Sequence, residues 1–172
     1  MTENDEETVF FGFEKMSTKE KFDSVDRVFD SVVNRYDLMN DLMSLGIHRL
    51  WKKYAVEVLD VGKNQVLLDL AAGTGDISSL IGQRLPRSSM LISCDANFRM
   101  LSAGRDKMTD LGLVEGITYV RSRAESLPFD DSTLDRAIIG FGLRNFSDQI
   151  KALKEMYRVL KVGARIVILE FS

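Results

Sequence analysis

The segment LDLAAGTGD at 68–76 combines acidic residues with two closely spaced glycines and follows an apolar run. Gly73 and Gly75 let the backbone turn tightly and approach a ligand, and a helix that starts there offers unpaired N–H groups to an anion. Asp95 ends the next apolar run, about 20 residues after Gly75, where a carboxylate accepts hydrogen bonds from ribose hydroxyls. The spacing therefore predicts a nucleoside-binding site, with helix capping as the alternative role of Asp95.

Two residues of the first segment bear on which nucleoside binds. A dinucleotide fingerprint has its third glycine where Ser78 stands, and Asp76 places a negative charge where a pyrophosphate would lie. Both features disfavour NAD. S-adenosylmethionine carries a sulfonium cation and no phosphate, so acids beside the loop suit it. The contacts predicted from the two strand ends are Asp69, Gly73, Thr74, Gly75 and Asp95.

A third group of candidate residues follows the next apolar run. Arg123 and Ala124 stand before Glu125 and the apolar segment 127–129. Adenine needs an apolar slot with one polar partner at its edge, and this strand end is where such a slot would form. Arg123 and Ala124 are therefore predicted to contact the adenine.

These candidates need a scaffold that brings successive strand ends together. Apolar runs of strand length recur at 66–71, 91–96, 117–122, 134–139 and 165–171. The segments between them that are long enough for crossover helices are 76–85, 97–111 and 147–160. Continuous apolar runs fit strands that are buried on both faces, and their alternation with helices predicts an α/β fold with a doubly wound parallel sheet.

The N-terminal region has a different pattern. Residues 1–16 are acidic and then aromatic without a sustained helical or strand period, which predicts a flexible tail. Ser17 and Glu20 match a capping box, so a helix is predicted to begin there. Apolar residues then recur at steps of three and four, at Phe22, Val25, Phe29, Val32 and Tyr36. Two shorter helices are predicted at 37–45 and 47–59.

The pattern predicts one domain at 17–172 after the tail, divided into a helical cover at 17–62 and a sheet core at 63–172. Composition supports an ordinary globular domain, with 45% hydrophobic and 28% charged residues and a net charge of −3. Cys94 is the single cysteine, so neither an intramolecular disulfide nor a cysteine-based zinc cluster is expected. No apolar run has the length of a membrane span, and the N-terminus lacks a signal-peptide pattern. A cytoplasmic protein without a nucleic-acid partner or a bound metal is expected.

Six segments, in order, resemble the C-methyltransferases of ubiquinone and menaquinone biosynthesis, a branch of the class I methyltransferases. They are YDLMNDLMSLGIHRLWK at 36–52, LDLAAGTGD at 68–76, DANFRML at 95–101, AESLPFDDSTLD at 124–135, FGLRN at 141–145 and EMYRVLKVGARIVILEFS at 155–172. The resemblance implies a Rossmann-like sheet and S-adenosylmethionine as the cofactor, with Gly140 among its contacts. It also implies a polyprenylated benzoquinol or naphthoquinol as the substrate, and hence peripheral contact with the inner membrane.

The sequence departs from the family pattern at four positions. Ala72 replaces a usual glycine, and Arg123 replaces an Asn or Asp, so the side chain has no acceptor for the adenine amino group. Val162 and Ala164 replace a proline and a glycine before the last apolar run, a change expected to be structural only.

The sequence ends at Ser172, where the family continues through two more strands and a helix. The strand 166–171 is therefore expected to be an unpaired edge. Truncation, gene degradation, a homodimer and another covering partner all remain open. Besides an active methyltransferase, the alternatives are a catalytically silent or partner-dependent S-adenosylmethionine-binding fragment and, more weakly, a NAD-binding oxidoreductase.

The resemblance implies that a phenolic proton is removed before a ring carbon accepts the methyl group. Arg144 and Asn145, just past the fourth apolar run, are the predicted catalytic residues, with Arg144 stabilising the phenolate or polarising a water. The alternative for Arg144 is an ion pair with an acid such as Asp148.

Other candidates belong to the N-terminal region. His48 is the only histidine, and a structural role is favoured over that of a base. Tyr36, Asp37 and Asn40 either close over the ligand or serve as a core residue and a helix cap. A cluster of flexible apolar residues, predicted to pack rather than to line a prenyl pocket, consists of Met39, Leu42 and Met43.

Overall fold

The computed structural model describes the backbone of 8–11 and 14–17 and the whole of 47–170. Strands β1 (Thr8–Phe11) and β2 (Glu14–Ser17) pair antiparallel. This pairing differs from the irregular tail expected over 1–16.

Several predictions from the N-terminal region lie outside the described residues. They concern the helix predicted from Ser17 onward, its apolar stripe, the helix 37–45 and the candidates Tyr36, Asp37, Met39, Asn40, Leu42 and Met43.

Five parallel strands form the main sheet, as the alternating runs predict. They are β3 (Val66–Leu70), β4 (Met90–Asp95), β5 (Ile117–Arg121), β6 (Leu134–Gly140) and β7 (Leu160–Leu169). Their order is β5-β4-β3-β6-β7, so the chain moves outward from β3 through β4 to β5 and then returns to place β6 on the other side of β3. Strand order reverses between β3 and β6, and such a reversal opens a crevice at the carboxyl ends of the strands.

Four helices are described in this part of the chain: α1 (Ile47–Leu59), α2 (Asp76–Gly82), α3 (Phe98–Asp110) and α4 (Gln149–Val159). Polar side chains define two of their starts. Asn97 Oδ1 accepts from the Met100 N–H at 2.9 Å at the start of α3, and Asp148 Oδ1 accepts from the Lys151 N–H at 2.9 Å at the start of α4. The helices predicted at 47–59, 76–85, 97–111 and 147–160 are confirmed, although α2 is shorter than the expected 76–85.

Side chains alternate between the two faces of the sheet, and each face has its own core. Leu67, Leu91 and Ile138 pack with residues of α1 and α2, whereas the next residue along each of the same strands packs with α4 on the other side. Both faces of the central strands are therefore covered, which explains why these strands have continuous apolar sequences.

Strand β7 forms one edge of the sheet. It begins at Leu160, earlier than the predicted 165, and contains a register shift opposite the pair Leu134 and Arg136. Val162 lies in this irregular part and is fully exposed, away from the strand ends that form the crevice. Ile166 and Ile168 are 40% and 41% exposed, and β6 is the only described strand that pairs with β7.

Candidate active site

A cleft opens at the carboxyl ends of β3, β4, β5 and β6, where strand order reverses. It holds roughly 740 Å³ of empty space, counting its open mouth. The predicted site residues that line it are Gly73, Asp95, Arg123, Ala124, Gly140 and Asn145. The tertiary structure therefore brings residues from four separate strand ends into one site.

A smaller chamber lies on the other side of the glycine segment. It is lined by Asp69 and Thr74, and it shares Gly73 and Gly140 with the cleft. Lys52 of α1 also lines this chamber, a residue that the sequence patterns did not single out. Neither Gly75 nor Arg144 lines the cleft or the chamber.

Asp95 ties the two predicted nucleoside-binding segments together. One carboxylate oxygen accepts from the Gly73 N–H at 2.8 Å, and the other accepts from the Asn97 N–H at 2.8 Å. The cap of α3 is Asn97, so helix capping is not the role of Asp95. A carboxylate oxygen has two lone pairs, so it can accept more than one hydrogen bond.

The glycine segment adopts backbone conformations that favour glycine. Gly73 has φ = 55° and Gly75 has φ = 79°, both in the left-handed region. Ala71 also has a positive φ of 58°, but Ala72 does not. The alanine at 72, where the family usually has glycine, therefore introduces no backbone strain.

Gly104 of α3 packs directly on the glycine segment and was missed by the sequence patterns. A Cβ atom at 104 would lie 3.1 Å from the Gly73 carbonyl oxygen and 3.2 Å from the Gly75 nitrogen. The only available sequence signal is a glycine inside a helical segment, where it is unfavourable by about 1 kcal/mol relative to alanine. Close approach of two backbones accounts for that glycine.

Asp69 lies beneath the glycine segment and is only 1% exposed. Burial raises its pKa to about 7, although the Ser78 hydroxyl donates to Asp69 Oδ2 at 2.7 Å and thereby favours the charged form. Ser78, which stands where a dinucleotide fingerprint has its third glycine, thus has a structural reason for being serine. Asp69 borders the smaller chamber and not the main cleft.

Asp76 is part of an ion-pair cluster that joins three helices. Lys52 Nζ of α1 lies 2.6 Å from Asp76 Oδ2, and Lys107 Nζ of α3 contacts Asp76 Oδ1. Burial by itself would raise the Asp76 pKa, but the two ammonium groups outweigh it and lower the pKa to about 2. The two ammonium groups therefore compensate the negative charge of Asp76. The repulsion of a pyrophosphate by Asp76 is weaker than the sequence predicts.

Arg123 and Glu125 organise the far wall of the cleft. Arg123 Nη2 donates to Ser147 Oγ at 3.2 Å, and Arg123 Nε lies 3.4 Å from Glu125 Oε2. The other oxygen of Glu125 accepts from the Ser147 and Asp148 N–H groups at 2.9 and 3.2 Å. The sequence pattern predicts no role for Glu125, but the structure shows that it holds the loop before α4.

Arg144 and Asn145 belong to a 3₁₀ turn, Leu143–Asn145, that follows β6. Asn145 lines the cleft. The Arg144 side chain is half exposed, and its Nη1 lies 3.0 Å from Glu170 Oε1. The acid paired with Arg144 is therefore Glu170 and not Asp148, which caps α4.

Two residues before this turn are also constrained. Phe141 has a left-handed φ of 58°, an uncommon conformation for a bulky residue that is typical of functional sites. A Cβ atom at Gly142 would lie 2.6 Å from the Ala71 Cβ, so the strand ends of β3 and β6 meet too closely for a larger residue.

One candidate, His48, lies outside the cleft and the chamber. His48 is buried near the start of α1, which agrees with the structural role favoured for it. Within the described residues, no group of three or more acidic, histidine or cysteine side chains could hold a metal ion. None of the described helices has the length and apolar character needed to cross a membrane.

A model described as the ubiE/COQ5 methyltransferase family matches residues 15–172. The ubiquinone/menaquinone biosynthesis C-methyltransferase UbiE of Haemophilus ducreyi is 50% identical over 166 residues, which cover 96% of this chain and 64% of that protein. UbiE of Escherichia coli is 45% identical over 172 residues, covering all of this chain and 68% of that protein.

Solved structures share the fold at low sequence identity. A SAM-dependent methyltransferase from Aquifex aeolicus has a TM-score of 0.65 at 21% identity and covers 70% of this chain and 64% of its own. Geranyl diphosphate C-methyltransferase from Streptomyces coelicolor, in complex with S-adenosyl-L-homocysteine, has a TM-score of 0.62 at 18% identity, covering 69% of this chain and 44% of its own.

Proposed function

The chain belongs to the ubiE/COQ5 methyltransferase family, and we propose that it transfers a methyl group from S-adenosylmethionine to a ring carbon of a polyprenylated quinol. The observation that carries this proposal is the family match over 15–172, which contains every residue of the cleft. The proposed acceptor is a benzoquinol or naphthoquinol, the precursor type of ubiquinone or menaquinone. The chain spans 64–68% of the length of the relatives compared above, so activity and substrate are proposals for this chain.

The residues of the cleft fit S-adenosylmethionine. Asp95 lines the cleft at the end of β4, where a carboxylate accepts hydrogen bonds from ribose hydroxyls, and Ala124 offers an apolar wall for adenine. The amino-acid part of the cofactor fits beside Gly73, Thr74 and Gly140, where the cleft meets the smaller chamber. When bound, the cofactor supplies a methyl group on a positively charged sulfur.

The turn after β6 is proposed to handle the phenolic oxygen of the acceptor. Transfer of the phenolic proton to a water molecule increases the electron density at the neighbouring ring carbon, which makes that carbon nucleophilic. After this carbon has taken the methyl group from the sulfur, it releases its ring proton to water, which restores the aromatic ring. Asn145 presents an amide to the cleft. Arg144 adjoins it in the same turn without lining the cleft, so its charge and its N–H donors can stabilise a phenolate oxygen that the acceptor places beside the turn. Glu170 acts through Arg144 as a positioning residue, because it holds one guanidinium nitrogen.

Titration calorimetry with S-adenosylmethionine tests the cofactor site. The Asp95→Ala protein loses a charged hydrogen-bond acceptor and its contacts to Gly73 and Asn97, so we expect at least tenfold weaker binding. Asp110→Ala, which removes an exposed acid at the end of α3, is the matched control and should bind normally. If the unmodified protein, Asp95→Ala and Asp110→Ala bound S-adenosylmethionine with equal affinity, Asp95 would not be a ribose contact.

Methyl transfer to a short-tailed demethylated quinol, kept reduced, tests the reaction. We expect Arg144→Ala to lower kcat while leaving cofactor affinity unchanged, and Glu170→Gln to lower kcat by a smaller factor, because Arg144 remains charged but is less well positioned. An Arg144→Ala enzyme with a normal kcat would exclude Arg144 from the mechanism.

A second candidate function is a cofactor-binding unit that needs further protein for turnover. Strand β7 has exposed apolar residues and a described strand partner on one side only, which favours a covering partner or a second copy of the chain. Binding of S-adenosylmethionine by the 172-residue chain without turnover, together with turnover by a version extended to the length of its relatives, would favour this reading. The NAD-binding alternative is not retained, because the family match assigns the fold to methyltransferases.

The proposed substrate also has a consequence for location. A quinol with a long isoprenoid tail resides in a lipid bilayer, so we propose that the protein meets it at the inner membrane by peripheral contact. Cosedimentation with vesicles that contain the prenylated quinol, compared with quinol-free vesicles, measures this contact.

A further inference from the structure

A buried lysine of α1 contacts the first residue of α2, beside the proposed cofactor site. The Lys52 side chain is 9% exposed, and its Nζ lies 2.6 Å from Asp76 Oδ2. Lysine is almost never buried to this extent unless its charge is paired. Lys52 also lines the smaller chamber with Gly73 and Thr74, although the methyl transfer proposed above gives it no role. The ion pair therefore connects α1 with the wall of the proposed cofactor site.

Asp76 stands where it can hold the end of the glycine segment. It is the first residue of α2, and Gly75 precedes it in a left-handed conformation with φ = 79°. Gly75 has no side chain, so this helix start lacks the side-chain cap that defines the starts of α3 and α4. The Asp76 carboxylate is instead held from outside α2, by Lys52 at one oxygen and by Lys107 of α3 at the other. The turn at Gly75 is therefore fixed between two neighbouring helices.

The two lysines are not equivalent partners of Asp76. The Lys107 side chain is 34% exposed, whereas that of Lys52 is 9% exposed, so water screens the contact with Lys52 less. Burial by itself would raise the Asp76 pKa, and the charge of Lys52 is the largest of the contributions that lower it to about 2. Removal of one partner from a buried ion pair is strongly unfavourable, because it leaves an uncompensated charge. Loss of Lys52 should therefore displace the Asp76 carboxylate, and with it the turn at Gly75.

The charge of Lys52 also reaches the second acid of the chamber. Asp69 is 1% exposed, and burial raises its pKa to about 7 with a smaller contribution from the Asp95 carboxylate. The Ser78 hydroxyl and the Lys52 ammonium oppose this rise, because both favour the ionised carboxylate. Lys52 therefore acts on both acids that line the chamber, on Asp69 through space and on Asp76 by direct contact.

We propose that Lys52 is a positioning residue for the cofactor, which holds Asp76, and through Asp76 the turn at Gly75, in the conformation that S-adenosylmethionine binds. The inference rests on the proposed function, which places the amino-acid part of the cofactor beside Gly73 and Thr74. It also links α1 to the cofactor by a reciprocal coupling. Because α1 stabilises the turn that the cofactor binds, the bound cofactor stabilises the packing of α1 by the same free energy.

Titration calorimetry with S-adenosylmethionine tests this role. We expect about tenfold weaker binding in Lys52→Met, which keeps an unbranched side chain but removes the charge, and recovery of most of the affinity in Lys52→Arg, which restores a cation. Lys53→Met changes the adjacent exposed lysine of α1, so it is the matched control and should bind like the unmodified protein. Asp76→Asn should weaken binding at least as much as Lys52→Met. The double variant should lose little more, because both changes remove the same contact.

Hydrogen exchange of the α1 amides measures the reciprocal effect. Saturating S-adenosylmethionine should slow this exchange several-fold in the unmodified protein and in Lys53→Met, and it should leave the exchange unchanged in Lys52→Met. A lysine that only stabilised the fold would change the exchange equally with and without cofactor. Should Lys52→Met fail to fold, the unmodified protein decides, because the inference requires the cofactor to slow exchange in α1.

Four results would overturn the inference while leaving the proposed function intact. They are equal affinities of the unmodified protein and Lys52→Met, equal losses in Lys52→Met and Lys53→Met, fully additive losses in Lys52→Met and Asp76→Asn, and exchange in α1 that does not respond to the cofactor. Absence of S-adenosylmethionine binding by the unmodified protein would instead reject the proposed function, and the inference with it.

Discussion

At the scale of single residues, Asp69 has the clearest dependence on pH. Its pKa is raised from the ordinary 3.8 to about 7 by burial, so the folded protein holds a proton that the unfolded chain has already released at pH 4 to 7. The stabilisation that this proton provides is present at acidic pH and is lost as pH rises through about 7. The free energy of unfolding therefore falls between about pH 4 and pH 7 and stays at its lower value above pH 7.

The substitution Asp69→Asn tests this dependence by thermal melts between pH 5 and 8. The amide can still accept from Ser78 but cannot ionise, so the Tm should fall less as pH rises and should exceed that of the unmodified protein by several degrees at pH 8. Asp110→Asn, at an exposed site, should leave the original slope. The same slope in Asp69→Asn would contradict the assignment.

Arg123 is the residue at which the chain departs from the expected adenine contact. Its guanidinium is already engaged with Glu125 and Ser147, and its side chain is 40% exposed. Adenine recognition is therefore expected to depend on backbone groups and on the apolar wall at Ala124. In calorimetry, Arg123→Asn should bind S-adenosylmethionine equally well or better. A loss of more than about tenfold, or about 1.4 kcal/mol, would show that Arg123 contacts the cofactor.

At the scale of secondary-structure elements, the position of α3 controls the shape of the glycine segment. Gly104→Ala would place a methyl group 3.1 Å from the Gly73 carbonyl oxygen, so one of the two backbones must shift by a few tenths of an ångström. We expect S-adenosylmethionine affinity to fall several-fold in calorimetry, even though alanine is intrinsically better in a helix.

Gly112→Ala provides the comparison for this helix. Gly112 has φ = 71° just after α3, and a Cβ there would contact no atom within 4 Å. The substitution should lower Tm through backbone strain while cofactor affinity stays unchanged. An equal change of affinity in the two alanine variants would reject a specific role for Gly104.

At the scale of the whole molecule, the outer edge of β7 is the least protected part of the described sheet. Ile166 and Ile168 are exposed beside an edge of backbone donors and acceptors, an arrangement that favours strand addition. Light scattering at increasing protein concentration should therefore show self-association. Ile168→Lys should suppress it, because a charge on an edge strand opposes pairing, and should not alter S-adenosylmethionine binding.

The control for the edge is Ile150→Lys, which changes an exposed isoleucine on α4 away from the strand ladder. That variant should associate like the unmodified protein. A monomer at every concentration in the unmodified protein would contradict the prediction, and equal suppression by both lysines would indicate a general effect of charge.

The sequence by itself determined the elements and the main ligand-binding segments. Continuous apolar runs marked the five strands of the sheet because strands buried on both faces have no polar side. Gly73 and Gly75 were recognisable because their conformation excludes most other residues, and Asp95 because it ends a strand at a characteristic spacing. These signals can be read along the chain, since each depends on residue type and on spacing within about 20 residues.

Only the tertiary structure decided how distant side chains combine. Asp76 is paired by lysines from α1 and α3, Glu125 holds a loop more than 20 residues away, and Arg144 meets Glu170 across the end of the sheet. No local pattern encodes such contacts, because they depend on strand order and on helix packing. The same reason explains why position 104 requires glycine. The backbone of the glycine segment is remote from Gly104 in sequence but packs directly against it.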